Sequence, residues 1–198
     1  EAGSQRVYAS GSVACRCPLW RRHPGPPRGA AETGSLGLTS GRAGSRGSMQ
    51  TALMKTYIHA PACRVWEAIT DHGALARFSG VTSARLLRAG REHANGVGAQ
   101  REVVLGRLRF LEDIVRFEPP HVIEYRVVEC TVPFDHELGR IELIERGRGT
   151  EVHWTTRFQI AIPVIGKLLT KAARPLVCDG FHGMLLELKH ELEGDSPN

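Results

Sequence analysis

From Leu53 onward the apolar residues settle into repeating patterns, and the longest of these lies at the end of the chain. Between Pro163 and Glu193 they recur at helical spacing. Ile165, Leu168, Leu169, Ala172 and Leu176 form one stripe, and beyond Pro175 and Gly180 the stripe resumes, slightly rotated, as Phe181, Met184, Leu185, Leu188 and Leu192. One face of this predicted helix requires a large apolar partner. Ahead of it the period falls to two, predicting strands over Lys55–Ala60, Val81–Arg88, Val97–Leu105, Leu108–Phe117, Val122–Val128, Phe134–Glu145 and Thr150–Ile160, separated by Gly, Pro and Asn turn signals. After the first strand, Pro61 suits the first turn of a short helix whose apolar side is Val65, Trp66 and Ile69, and a second short helix spans Ala74 to Phe78. The order predicts an α+β fold: a curved seven-stranded antiparallel sheet wrapped around a long C-terminal helix, with two short helices after strand one.

The loop between the third and fourth strands sets a register. Gly106-Arg107, between Leu105 and Leu108, reads as a two-residue type II′ hairpin turn. Leu105 then opposes Leu108, Val103 opposes Phe110, Arg101 opposes Glu112 and Ala99 opposes Ile114, all on one side of the sheet. That side is otherwise apolar and so is the concave one. The opposite side carries Gln100, Glu102, Arg109 and Asp113, as a solvated face should.

An arginine and a glutamate on an apolar face cost hydration unless they pair. Two readings stand: a half-exposed cross-strand pair, or polar groups in the lining of a ligand cavity. The same alternation groups Ile123, Tyr125 and Val127; Val152, Trp154, Thr156 and Phe158; and Phe134, His136 and Leu138. Tyr125 and Trp154 read as core aromatics whose polar tips find partners. His136 reads either as a satisfied structural histidine or as a cavity residue. The expected cavity set is Arg101, Val103, Phe110, Glu112, Tyr125, His136, Trp154, Phe158, Leu169 and Phe181.

Charge narrows the function. Residues 1–48 hold seven arginines against two acids, so the whole formal net charge of +5 lies there and the remainder balances. The patterned domain has no net positive field for nucleic acid. The Gly-, Arg-, Pro- and Ser-rich residues 1–48 have no sustained apolar period and are expected to be a disordered tail, and Met49, directly before the patterned sequence, suggests that this tail lies outside the native coding sequence. Residues 49–198 form the domain. Five cysteines at irregular spacing do not form a disulfide framework, which suits a reducing cytoplasm. The sequence has no Walker A loop, H-E-x-x-H or G-x-S-x-G motif, and Gly96-Val97-Gly98 lacks the third glycine and the following helix of a dinucleotide loop. No cofactor, metal site or stable membrane insertion is expected. Transient membrane contact through Ile162, Val164 and Ile165, beside Lys167, Lys171 and Arg174, is a further reading.

Ala60-Pro61 before Val65-Trp66 and Asp71, Gly96-Val97-Gly98-Ala99 before Arg101, Glu112 in the next strand, Glu118-Pro119-Pro120 before Ile123-Glu124-Tyr125, Gly149-Thr150 before Val152 and Trp154, and the final amphipathic helix together make a pattern. With the element order, it resembles the START-like (SRPBCC) helix-grip superfamily, and within it the polyketide cyclase/dehydrase and lipid-transport branch. The resemblance covers residues 53–193. It implies a START-like ligand-binding domain and a cavity position for Arg101, Glu112 and Trp154, but carries over no catalytic residue. Two functions follow: a carrier or sensor of a small hydrophobic molecule (lipid, isoprenoid or aromatic polyketide-like), or a cyclase/dehydratase with candidates Glu112 as base, His136 or Tyr125 as acid and Arg101 as enolate stabiliser.

Overall fold

A computed structural model describes residues 49–194, so the expectations for residues 1–48 fall outside it. The element order is β1 Gln50–Ile58, α1 Ala62–Thr70, a 3-10 turn Ala74–Arg77, β2 Val81–Arg88, β3 Gln100–Leu105, β4 Leu108–Glu118, β5 Val122–Cys130, β6 Phe134–Arg146, β7 Gly149–Ile160 and α2 Gly166–Gly194. The strands form one antiparallel sheet in the order β1-β7-β6-β5-β4-β3-β2. Successive hairpins build β2 to β7, and β1 closes against the last strand. The chain must therefore pass from one sheet edge to the other between β1 and β2, and α1 and the 3-10 turn make that passage.

The alternation dictates which side becomes the core. Ala52, Met54 and Ile58 of β1, Val103 of β3, Ile114 of β4, Ile123 and Tyr125 of β5, Ile141 and Leu143 of β6, and Val152 and Trp154 of β7 are buried with Val65, Trp66 and Ile69 of α1 and Leu185, Leu188 and Leu192 of α2. The Gly106 hairpin forms as expected: φ of Gly106 is +59°, Arg107 stays at negative φ, and the register pairs Leu105 with Leu108, Val103 with Phe110 and Arg101 with Glu112. The Ile114 backbone N–H donates to the Ala99 carbonyl, extending that register past the strand end.

Several boundaries differ from expectation. β1 starts at Gln50 rather than Lys55, because Leu53 points outward into solvent and disguises an alternation in which Ala52 and Met54 face in. β3 starts at Gln100 rather than Val97, since Gly98 adopts φ +84°, outside the extended region. In β6 a bulge falls between His136 and Leu138: His136 opposes Phe158, but Leu138 opposes Arg157. Leu138 is thereby turned onto the outer face, away from Phe134 and His136, because one extra residue inverts the alternation.

The long helix departs most. It begins at Gly166 rather than Pro163, behind a turn in which the Gly166 N–H donates to the Ile162 carbonyl and Val164 sits at φ +69°. Its second half is buried: Leu185 and Leu188 are 1% exposed. Its first half is not, for Leu168 is 71% and Leu176 73% exposed. The periodicity is real, but the sheet covers a different face of the front half, the one carrying Gly166 and Thr170. Among the described residues no helix is long and apolar enough to cross a membrane.

Candidate functional site

A cavity of about 450 Å³ lies between the concave side of the sheet and α2. Its floor is supplied by β3 to β7, its roof by Ala173 to Leu188 of α2, and one wall by Ile69, Leu75 and Phe78. The lining is largely apolar, interrupted by Ser79, Arg101, Glu112, Tyr125, His136, Trp154 and Thr156. Nine of the ten residues expected at the cavity reach it. Leu169 does not, because it lies on the front half of α2, where the helix face turned to the sheet carries Gly166 and Thr170 instead.

Arg101 and Glu112, opposed across β3 and β4, are both buried, and Arg101 Nε donates to Glu112 Oε2 at 2.6 Å. Of the two readings open from the sequence, the half-exposed surface pair is excluded by that burial. Sequence reasoning missed the group behind it. His72, in the turn after α1, is fully buried and accepts a hydrogen bond at Nδ1 from Arg101 Nη1 at 3.1 Å. Arginine can only donate, so the proton of a neutral His72 is on Nε2, which donates to the Asn95 carbonyl at 3.1 Å. Burial, reinforced by the adjacent Arg101 charge, lowers the His72 pKa to about 3. A lone histidine after a short helix carries no periodic signal, and only the fold brings it to Arg101.

The guanidinium also lies over the Tyr125 ring, 4.9 Å from its centre. Tyr125 crosses β6 at Gly139, where a Cβ would fall 2.2 Å from the ring, so the residue opposite this tyrosine has to be glycine. The Tyr125 hydroxyl accepts from Trp154 Nε1 at 3.0 Å, and Trp154 stacks on Phe181 of α2 with centroids 4.3 Å apart. Burial, then the nearby Glu112 carboxylate, push the phenol pKa up.

Further along the floor, β5 and β6 pair only through Val122 to Tyr125, and the His136 ring spans the gap beyond. Its Nδ1 accepts the Val127 N–H at 3.1 Å and its other nitrogen meets Thr156 Oγ1 at 3.0 Å. Burial, with Arg126 nearby, lowers its pKa to about 4. His136 is thus neutral and committed at both nitrogens, which removes it as a proton donor and makes it a bridge between strands. Among the described residues no cluster of His, Cys, Asp or Glu could hold a metal ion.

Residues 49–193 match the family model described as polyketide cyclase / dehydrase and lipid transport. No curated protein matches the chain. Among solved structures the fold is similar to TTHA0849 from Thermus thermophilus, with TM-score 0.62 and 23% identity over 75% of this chain and 100% of that one. It is also similar to a START superfamily protein from Mycobacterium smegmatis, with TM-score 0.60 and 13% identity over 75% and 99%. Ara h 8.0201 matches with TM-score 0.61 and 12% identity over 75% and 100%. At these identities the shared property is the fold.

Proposed function

Because the chain belongs to the polyketide cyclase/dehydrase and lipid transport family, we propose that it binds a small hydrophobic molecule in this cavity, as a carrier or sensor of a lipid, isoprenoid or aromatic polyketide-like compound. One observation carries the reading: an apolar chamber of about 450 Å³ has a buried, charged pair at one end of its floor. Chambers of this size suit small organic ligands, with apolar walls supplying most of the affinity and a few polar groups fixing orientation. Arg101 Nη2 and Glu112 Oε1 have no protein partner among the described residues, so the pair retains a donor and an acceptor for a guest.

The catalytic alternative is weaker on geometry. A cyclase or dehydratase needs a proton donor and acceptor poised near working pH. His136 is committed at both nitrogens, and the raised phenol pKa suits Tyr125 to hydrogen bonding rather than proton delivery. What remains is Glu112 beside a cation. Unchanged turnover of a cyclisable substrate by Glu112→Gln and Tyr125→Phe would end that alternative.

Native mass spectrometry of the chain purified from a cellular extract, followed by denaturation and weighing of whatever is released, tests the main reading. A discrete apolar mass is the expected result. Clean apo protein that also fails to take up apolar probes would overturn it.

The exposed Val164, Ile165 and Leu168 beside Lys167 and Lys171 support a complementary reading, transient contact with an anionic membrane while the cavity loads. Co-sedimentation with anionic vesicles at low salt, abolished by Leu168→Asp, is the expected outcome; no sedimentation of the wild type would refute it.

A further inference from the structure

The hydrogen bonds of His136 determine where a proton on the neighbouring strand must go. The Val127 backbone N–H can only donate, so His136 Nδ1 is its acceptor and, in the neutral ring, Nε2 carries the hydrogen. Nε2 therefore donates to Thr156 Oγ1, 3.0 Å away. The hydroxyl's own hydrogen is left over. No described group accepts it, and Thr156 is buried in the cavity lining, which also holds Val127, Phe134 and Phe158. Buried hydroxyl donors are rarely left unpaired in folded proteins.

The two ends of the floor then differ in chemistry. At the first, Arg101 Nη2 and the Tyr125 hydroxyl are spare donors and Glu112 Oε1 is a spare acceptor, so a guest group that both gives and takes a hydrogen bond is satisfied there. At the second, the Thr156 hydroxyl has its one hydrogen to give and, with His136 on one lone pair of its oxygen, one lone pair to spare. A ligand hydroxyl at that end makes one hydrogen bond with Thr156, as donor or as acceptor, and either way one of the two hydroxyl hydrogens is stranded against the apolar wall. A carbonyl strands nothing. The ends are separated by two ring steps: Arg101 lies 4.9 Å from the centre of Tyr125, and Tyr125 stacks on His136 at 5.6 Å. The Arg101 guanidinium and the His136 ring are thus at most about 10 Å apart.

Building on the binding function proposed above, we infer that Thr156, with its hydroxyl directed by His136, is a second ligand anchor, and that the ligand is an apolar skeleton with a hydroxyl-like group at one end and a bare carbonyl at the other, within about 10 Å of it. A simple hydrocarbon chain with one polar head meets only half of this.

Three matched fluorescent naphthalenes test it on the full chain: 6-acetyl-2-naphthol, 2-naphthol and 2-acetylnaphthalene, titrated against wild type, Thr156→Val and Thr156→Ser. The wild type should bind 6-acetyl-2-naphthol about tenfold tighter than 2-naphthol. Thr156→Val should erase that advantage, bringing 6-acetyl-2-naphthol to the affinity of 2-naphthol on the same variant, and Thr156→Ser should keep it. Circular dichroism and a urea midpoint for each variant serve as the control for folding. If Thr156→Val retains the advantage, or the wild type binds 2-naphthol as tightly as the acetyl compound, the second anchor is refuted while the cavity reading stands. If none of the three binds but a long-chain fatty acid does, the second anchor alone is refuted; if no apolar probe binds at all, both fall.

Discussion

Arg101 and Glu102 are adjacent in β3, both buried and both ion-paired, yet they point to opposite faces of the sheet and their surroundings differ. Glu102, on the outer face, is closed over by Arg85 at 2.7 Å and by Arg109, which also reaches Glu129 at 2.7 Å. Each of its oxygens is taken, and its pKa is lowered chiefly by these hydrogen bonds. Arg101, on the inner face, meets Glu112 and His72 and still has a nitrogen without a protein partner among the described residues, as Glu112 still has an oxygen. The outer cluster is self-sufficient at the water boundary. The inner one is incomplete inside an apolar chamber, as the proposed binding of a guest requires.

The largest expected effect comes from breaking the inner pair. Arg101→Met strands the Glu112 carboxylate and should cost about 3–5 kcal/mol in urea denaturation, whereas the double variant Arg101→Met/Glu112→Leu should recover most of that stability. If the single variant melts like wild type, the inner pair is solvated and the contrast is lost. Acid acts next, and between pH 7 and pH 5 chiefly on the inner face. His72 and His136 have folded pKa values of about 3 and about 4 against an ordinary histidine value of 6.5, so the unfolded chain binds more protons between these limits. Their contribution is complete above about pH 6.5 and falls by roughly 1.4 kcal/mol per histidine for each unit below it, down to the folded pKa. Denaturation curves at pH 7 and pH 5 should therefore differ by several kcal/mol, and His72→Gln should flatten the slope. Gly139→Ala, which drives a methyl into the Tyr125 ring, should cost about 1–3 kcal/mol. A wild-type midpoint for it would mean that the ring moves aside freely. The smallest effect is on the outer face: Glu102→Gln should lower the melting temperature slightly, and less so as salt is added.

The inner face was legible in the sequence because hairpin and alternation are local. A two-residue loop with glycine first left one register, and that register set Arg101 against Glu112. The element order was legible for the same reason. What escaped depends on contacts between distant segments or on a single inserted residue. His72 meets Arg101 across 29 positions. The β6 bulge flips Leu138, and Gly139 beside it reads in the sequence as one more strand position rather than as the mark of an inserted residue. In α2 an apolar stripe is plain, but periodicity cannot say which stripe the rest of the fold will cover. That stripe points Leu169 at the cavity, while the face that packs inward at that level holds Gly166 and Thr170, whose hydroxyl accepts the Ile160 N–H at 2.9 Å.

The uneven anchoring of α2 has a consequence in time. The rear half is held by Leu185, Leu188 and Leu192 and by side chains tied to the body, Arg77 to Glu191 at 3.0 Å and Lys189 to the Tyr57 carbonyl at 2.8 Å. The front half has Thr170 and an Arg174 bond to the Thr51 carbonyl, and Pro175 interrupts its hydrogen-bond ladder. Segments with few buried side chains open at lower free energy than the global transition. The amides of Lys167 to Arg174 should exchange with deuterium well before those of Met184 to Leu192. For the ligand proposed above that sets a clock: its residence time is expected to follow how often the front of this helix lifts, and Lys167, Leu168 and Lys171, which lie outside the lining, are the positions at which to tune it.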